Sequence, residues 1–412
     1  MQPDSLMPPH LSADTEFKSA VFALGRRPFI IYLAFLNAFV PISTDLYLPA
    51  LPHMMEIFQC PRVLADLTLS GFMLSFALSM LFWGAYSDRY GRRLILMAGL
   101  GLYAVASVMC TGATDIFVLI AGRVLQAVGS GAICAVSMAV VKDVFKGKEM
   151  ENVLIWMQVM TMLAPMLAPS LGSLLLRLTS WRGLFVILLF CSLLALLLLF
   201  FLRETLRDPG KGRGIESLKR IPAVLCDPGL RRLLILFSLS VMPFMAYLTS
   251  SAFIYIKFYG LSHEQFGLFF AANAGVAMFG PLLYSRLFRN LPRRFFLSLV
   301  YGVMAASGVC LFFVGDQGPF YFIVFYLPLT LFASASRPVG ALLMMSQLDT
   351  DNGTVAALMG CCGLLCGGVA MIICSLGFAN PVLPVAGMAM LIGLACLILW
   401  NVLDSRKLYR IP

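Results

Sequence analysis

The sequence predicts an all-α membrane protein with twelve transmembrane helices. Three observations carry that prediction. The chain is 60% hydrophobic and 12% charged, with a mean hydropathy of +0.90, whereas a soluble globular chain keeps its surface in water with roughly 25% charged residues. A spanning helix needs about 20 apolar residues, and twelve stretches meet that length. Their connections are short, and many are basic. The apolar runs are continuous, which argues against a β-barrel, whose strands are about ten residues long and alternate in polarity.

In chain order the expected spans are 29–51, 66–86, 94–112, 116–141, 152–178, 183–202, 232–256, 265–288, 294–314, 319–346, 352–377 and 381–403. The second and third are joined by Gly84-Ala85-Tyr86-Ser87-Asp88-Arg89-Tyr90-Gly91-Arg92-Arg93, read as a short loop at a membrane face whose glycines allow a tight backbone. Residues 111–115 and 179–182 form the other close turns of this half. The longest polar interruption, 203–232, holds eight basic and four acidic residues and divides the spans six and six. Within it, 215–225 fits either a short helix on the membrane surface or a plain linker. The expected organisation is an N-terminal tail 1–28, a first unit 29–202, a central loop 203–231, a second unit 232–403 and a C-terminal tail 404–412. Residues 1–28 carry Pro3, Pro8, Pro9, His10 and acids instead of a basic segment leading into an apolar run. No signal peptide is read, and the first helix is expected to remain as an anchor.

The net charge of +10 raises the question of nucleic acid. With the N-terminus inside, 24 of the 30 Lys and Arg residues fall in cytoplasmic segments. Four (Arg62, Arg177, Arg182, Lys257) fall outside and two (Arg123, Arg337) lie within spans. That asymmetry follows the positive-inside rule and places both termini in the cytoplasm. The charge is topology, and no nucleic-acid partner is expected. The eleven cysteines are scattered and odd in number, so they outline no disulfide framework. Cys361, Cys362 and Cys366 sit among Gly360, Gly363, Gly367 and Gly368 with no His or acid beside them; they read as close helix packing, with no metal site expected. The three histidines, His10, His53 and His263, lie outside the expected spans, and no nucleophile–base constellation marks an enzyme.

The 84–93 loop resembles the signature G-x-x-x-D-R-x-G-R-R/K of the major facilitator superfamily, at Gly84, Asp88, Arg89, Gly91, Arg92 and Arg93. Its counterpart in the second half, Gly280 to Arg286, keeps the leading glycine and an arginine, with Tyr284 where Asp88 aligns. The resemblance implies two pseudo-symmetric six-helix bundles around a central cavity, rocking against one another. It also implies a conformational latch, with Asp88 facing the capping residues 349–354 at the start of the eleventh span.

Acids and bases inside spans are expensive and mark function by default. Asp45 lies near the outer end of the first span. Arg123 lies about seven residues into the fourth, roughly 10 Å deep. Their similar depth makes them the expected proton-coupling pair, in contact directly or through water. Residues 123–129 resemble the superfamily motif R-x-x-Q-G-x-G, with Ala127 replacing a glycine. Residues 164–173 resemble the A-P-x-x-A-P-x-x-G-G element of drug:proton antiporters, with Ser173 replacing the last glycine. Pro165 and Pro169 remove backbone donors and bend that helix, and Gly172 lets a neighbour approach. Together with Asp45-Leu46-Tyr47-Leu48-Pro49-Ala50-Leu51-Pro52, these residues resemble the bicyclomycin-resistance (Bcr/CflA) family of drug:proton antiporters. The resemblance implies a monomeric secondary active transporter that exports small amphipathic molecules or drugs. It needs no cofactor beyond the proton gradient. A metabolite, peptide or siderophore carrier of the same fold is the alternative. Tyr32, Asn37, Gln126, Gln158, Tyr247 and Asn273 are the candidate substrate contacts, each also readable as a helix–helix hydrogen bond. Arg337 either faces the cavity or snorkels toward the cytoplasmic face.

Overall fold

The computed structural model describes residues 25–206, 221–348, 352–406 and 408–409. Twelve helices among them are long and apolar enough to cross a membrane. They are α1 Arg26–Asp45, α2 Arg62–Tyr90, α3 Arg92–Thr111, α4 Ile116–Val144, α5 Gly147–Leu178, α6 Trp181–Leu199, α7 beginning Pro228–Leu239, α8 His263–Leu283, α9 Arg293–Val314, α10 Pro319–Met345, α11 Asn352–Ser375 and α12 Val382–Ser405. The chain after α1 continues through a 3-10 turn, Leu48–Ala50, and a short helix, Leu51–Ile57. The helix α7 resumes as Met242–Ala252 and ends in a π-helical turn, Phe253–Phe258. Its interruption follows from Pro243, which has no N–H for the preceding turn; the Pro243 carbonyl accepts from the Tyr326 hydroxyl of α10 at 3.0 Å.

The 84–93 segment is not the loop expected from its charge. Helix α2 runs through Asp88 and Arg89 to Tyr90, and α3 starts at Arg92, so Gly91 alone makes the turn. It does so at φ 97° and ψ 151°, a backbone region essentially confined to glycine. A Cβ there would stand 2.6 Å from Glu204 Oε2. Glu204, just past α6, accepts from the Arg92 and Arg93 amides at 2.9 and 3.1 Å. It fills the unpaired donors at the start of α3 with a carboxylate that the helix dipole favours. Of the central segment, residues 221–225 are helical; the remainder of the expected 215–225 surface helix lies outside the described residues.

Within the first half α4 packs on α2 and α3, α1 on α5, and α3 on α6; within the second, α9 packs on α12 and α10, α8 on α10, and α7 on α11. The halves meet along α2–α11 and α5–α8. An even number of spans puts the start of α1 and the end of α12 at one end of the molecule, called here the near end. Among the described residues, the cross-half ion pairs and hydrogen bonds all lie at the far end. Lys257 Nζ reaches Glu56 Oε1 at 2.8 Å, Arg177 pairs with Glu264, and Arg62 donates to Ser250 Oγ at 3.1 Å. Ser173 Oγ meets the His263 carbonyl at 2.8 Å. Near-end ion pairs between described residues, such as Arg26–Glu149 at 2.8 Å and Arg294–Asp404 at 3.5 Å, stay within one half. The far end is therefore closed by polar contacts between the halves.

Gly91→Ala is expected to destabilise the protein by about 1–3 kcal/mol through backbone strain, on top of the collision with Glu204. Gly101→Ala, where a Cβ meets nothing within 4 Å, is the control. Thermal unfolding of the two purified variants in detergent checks this.

Candidate functional site

Arg123 is fully buried in the middle of the first half. One terminal nitrogen donates to the Ser43 carbonyl and Ser43 Oγ, both at 3.2 Å, and to Gln126 Oε1 at 2.9 Å. Its Nε lies 3.4 Å from the Thr68 carbonyl, while the other terminal nitrogen has no partner. The guanidinium stacks over Phe72 at 4.4 Å, with Tyr47 and Phe185 at 5.3 and 5.9 Å. Its acceptors are themselves anchored. Tyr103 donates to Ser43 Oγ at 2.8 Å, and Gln126 Nε2 donates to Ser107 Oγ at 2.8 Å. The cation thus sits in a cage of neutral dipoles and ring faces, the setting in which arginine outperforms lysine.

Asp45 is also buried, at 3% exposure, but it does not pair with Arg123. Its Oδ1 accepts from Thr44 Oγ1 at 3.0 Å. The direct ion pair is not made, for a simple geometric reason. Residues two apart on a helix point in nearly opposite directions, so Ser43, facing α4, sends Asp45 the other way. The Asp45 turn instead rests on α5. A Cβ on Gly172 would stand 2.2 Å from the Leu46 carbonyl, so this glycine is what admits the chain that carries Asp45. One residue on, Ser173 Oγ lies 2.8 Å from the Pro169 carbonyl as well as 2.8 Å from His263 O of α8. Helix α5 stays continuous through Pro165 and Pro169. The α5 element therefore holds the Asp45 turn on one side and the other half on the next.

The 84–93 segment is tied into its own half. Asp88 pairs with Arg92 at 2.5 Å, Arg92 Nε donates to Asp143 Oδ2 at 2.9 Å, and Arg92 also donates to Ser87 Oγ at 2.6 Å. The Arg89 guanidinium lies 5.4 Å from the Tyr90 ring. Residues 349–351, part of the partner expected for Asp88, fall outside the described residues.

Four of the expected substrate contacts belong to packing within a half. Tyr32 donates to the Ala195 carbonyl of α6 at 3.1 Å, and Gln126 serves Arg123. Asn273 accepts from Thr330 Oγ1 of α10 at 2.7 Å. Tyr247 is stacked on Tyr326 at 4.4 Å inside a cluster with Phe270 and Phe322. A polar tip inside an apolar bundle usually finds a partner there: Tyr32, Asn273 and, through Ser107, Gln126 each bond to a neighbouring helix, while the Tyr247 hydroxyl has no hydrogen-bond partner among the described residues. Three candidates remain accessible. Asn37 is half-buried and donates to Thr161 Oγ1 of α5 at 2.5 Å. Gln158 is exposed. The exposed Trp156, Met160, Leu167 and Leu171 mark the lipid-facing stripe of α5, and at about 100° per residue Gln158 falls on the opposite face. Arg337 is exposed too, turned away from the stripe of Phe320, Val324 and Leu342, with its guanidinium 5.8 Å from the Phe244 ring of α7. A groove of about 390 Å³ lined by Ser75, Leu78, Phe82 and Trp83 lies beside exposed apolar side chains on the outer surface of α2 and α4, away from these groups.

Sequence reasoning missed a second intramembrane acid. Asp66 on α2 is fully buried, and its Oδ2 accepts from Arg62 Nε at 3.1 Å. The signal was available as an i,i+4 charge pair opening an apolar run, and it was obscured by starting the span at residue 66. Glu204 and Asp143, which hold the 84–93 segment, were hidden in polar connections.

Twelve spanning helices in two halves, with buried charge in the first and a closed far end, define a membrane transporter of the two-bundle class. A family model of the Major Facilitator Superfamily matches residues 33–371, and the chain belongs to that superfamily. It is 28% identical over 338 residues to the uncharacterized MFS-type transporter YdgK of Bacillus subtilis, covering 80% of this chain and 84% of the relative. The bicyclomycin resistance protein homolog of Haemophilus influenzae is 26% identical over 294 residues, covering 69% and 72%. The multidrug resistance protein MdtL of Shigella dysenteriae is 29% identical over 239 residues, covering 58% and 61%. In fold, the chain is similar to a peptide transporter POT crystallised with alafosfalin (TM-score 0.75, 14% identity, covering 97% and 99% of the two chains). It is also similar to a bacterial homologue of the lysosomal transporter Spinster in an inward-facing state (TM-score 0.70, 15% identity, covering 94% and 100%).

Gly172→Ala is expected to cost about 1–3 kcal/mol by overpacking and to dislodge the Asp45 turn. Gly275→Ala, with open space around its Cβ, is expected to be neutral. Thermal unfolding of both variants reads the difference.

Proposed function

We propose that the protein is a proton-coupled exporter of small amphipathic molecules, drugs among them, in the bacterial inner membrane. It acts as a monomer with both termini in the cytoplasm. The Lys and Arg distribution supports that orientation, which makes the near end cytoplasmic and the described conformation inward-facing. The names of two relatives, a bicyclomycin resistance homologue and a multidrug resistance protein, support the cargo class.

The observation that carries the reading is Asp45. It is buried, it has no cation within ion-pair distance among the described residues, and it is seated against the α5 element that also grips α8. A carboxyl so placed is cheapest to bury in its neutral form. Protonation on the outer side would accordingly favour the closed far end, and loss of the proton to the cytoplasm would favour reopening. Cargo entering from the cytoplasm would bias the same equilibrium in the opposite sense, which is what exchange requires. Arg123 would act without touching Asp45, by fixing Ser43 and hence the turn that follows. Asn37, Gln158 and Arg337 are the proposed cargo contacts, polar groups on otherwise apolar walls. Asp88 and the 84–93 segment would serve as the near-end latch in the opposite conformation. A second reading draws on Arg337, which has no anionic partner among the described residues: a metabolite cargo bearing an acidic group.

In proteoliposomes, Asp45→Asn is expected to abolish cargo movement driven by a pH gradient while leaving cargo–cargo exchange in place; undiminished gradient-driven transport would exclude the role. Arg337→Gln is expected to weaken binding of acidic cargo about tenfold or more, as for loss of a charged hydrogen bond of about 1.5–3 kcal/mol, and to spare neutral cargo. Initial rates against cargo concentration separate the two readings.

A further inference from the structure

The far-end seam contains a charged unit that the proton pathway through Asp45 does not use. Arg62, at the first turn of α2, donates through Nε to Asp66 Oδ2 at 3.1 Å and through a terminal nitrogen to Ser250 Oγ of α7 at 3.1 Å. Its guanidinium also covers the Phe253 ring of α7 at 4.4 Å. One side chain therefore joins the two halves, and Asp66 is the group that aims it. Asp66 itself is fully buried, and its second oxygen, Oδ1, has no hydrogen-bond partner. Thr249 Oγ1 of α7, also buried and without a hydrogen-bond partner among the described residues, neighbours the same carboxyl. The other titratable groups around the pair are the Tyr47 phenol, from the turn after α1, and the Cys374 thiol of α11. Both are ordinarily neutral where a carboxyl titrates. Arg123 stands nearby, on the Thr68 carbonyl.

We propose that Asp66 is a second proton-binding group, whose ionised form clamps the far end shut by holding Arg62 against α7. A buried arginine facing α7 needs a counter-charge; without one it is an uncompensated cation in a closed seam. With Asp66 ionised, the pair is neutral as a unit, and the guanidinium is held rigid for Ser250 and Phe253. With Asp66 protonated, closing the seam buries the net charge of Arg62, and the open arrangement, in which Arg62 is hydrated, gains. Acid on the far side thus shifts the halves toward the far-end-open state. The inference needs the two halves to move but does not need Asp45 to carry the coupling proton.

Cys374 is the native reporter. It is fully buried beside the pair, while Cys60 lies in the far-end connection between Ile57 and Arg62 and is half-exposed. In nanodiscs, modification of each by a bulky maleimide is followed by peptide-resolved mass spectrometry, as the ratio of the Cys374 rate to the Cys60 rate. In the wild type the ratio is expected to rise several-fold from about pH 8 to about pH 5, across the carboxyl range. Asp66→Asn and Arg62→Gln are expected to give the high ratio at every pH, and Asp66→Glu to restore the response. Ser250→Ala leaves the buried pair intact and so tests the clamp if Asp66→Asn fails to fold; its ratio is expected to be raised at pH 8. Asp45→Asn removes any opposing effect of Asp45 protonation on the far end and is expected to keep the rise in the ratio from pH 8 to pH 5, which separates this clamp from proton coupling at Asp45. An Asp45→Asn ratio independent of pH, or a Ser250→Ala ratio equal to that of the wild type at pH 8, would overturn the proposal.

Discussion

The first half is organised around one buried guanidinium. Removing Arg123 from water costs several kcal/mol, and no carboxylate among the described residues lies within ion-pair distance to offset it. The offset comes from geometry: Ser43 of α1, Thr68 and Phe72 of α2, and Phe185 of α6 converge on the cation, while Tyr103 and Ser107 of α3 brace its acceptors. A dipole cage of this kind works only if each member is held in place, so Arg123 sets the register of four helices against its own. The position of Asp45 is a consequence, because fixing Ser43 toward α4 decides where the residue two places on must point.

Among the described residues, the second half holds no such caged cation. Tyr247, Tyr255, Tyr326, Phe266, Phe270 and Phe322 fill its far end with rings packed face to face and edge to face. Two bundles of the same fold thus solve core packing by different chemistry. The polar solution lies in the half that carries Asp45, Asp66 and the 84–93 segment. Arg337 is a charge that the second half contributes inside the spans, beside the Asn273–Thr330 hydrogen bond.

How far the sequence could be read follows the same division. Span number and the six-and-six split were legible because hydropathy is a one-dimensional property that needs no partner. The burial of Asp45 and Arg123 was legible for the same reason. Their pairing was not, since depth along a helix says nothing about azimuth. The 84–93 segment read as a loop because charge marks a membrane face, and yet a helix can pass through that face and stop at a single glycine. Asp66 was lost because a boundary drawn at the first apolar residue treats an acid there as a cap. Tyr32 and Asn273 looked like cavity walls; whether a polar group meets cargo or a neighbouring helix depends on contacts far apart in the chain, Ala195 and Thr330 here.

The bonds across the far-end seam share a property beyond their strength. Ser173 can give its proton to Pro169 of its own helix when His263 moves away. Arg62 keeps Asp66 when Ser250 leaves, and Glu56 has His53 at 3.3 Å when Lys257 leaves. Arg177 is already largely in water. Each of these groups has a resting place on its own side, so parting the halves orphans none of them. Such a joint is cheap to break and equally cheap to remake. Its two positions can then stay within a few kcal/mol of each other, close enough for one proton or one cargo molecule to decide between them.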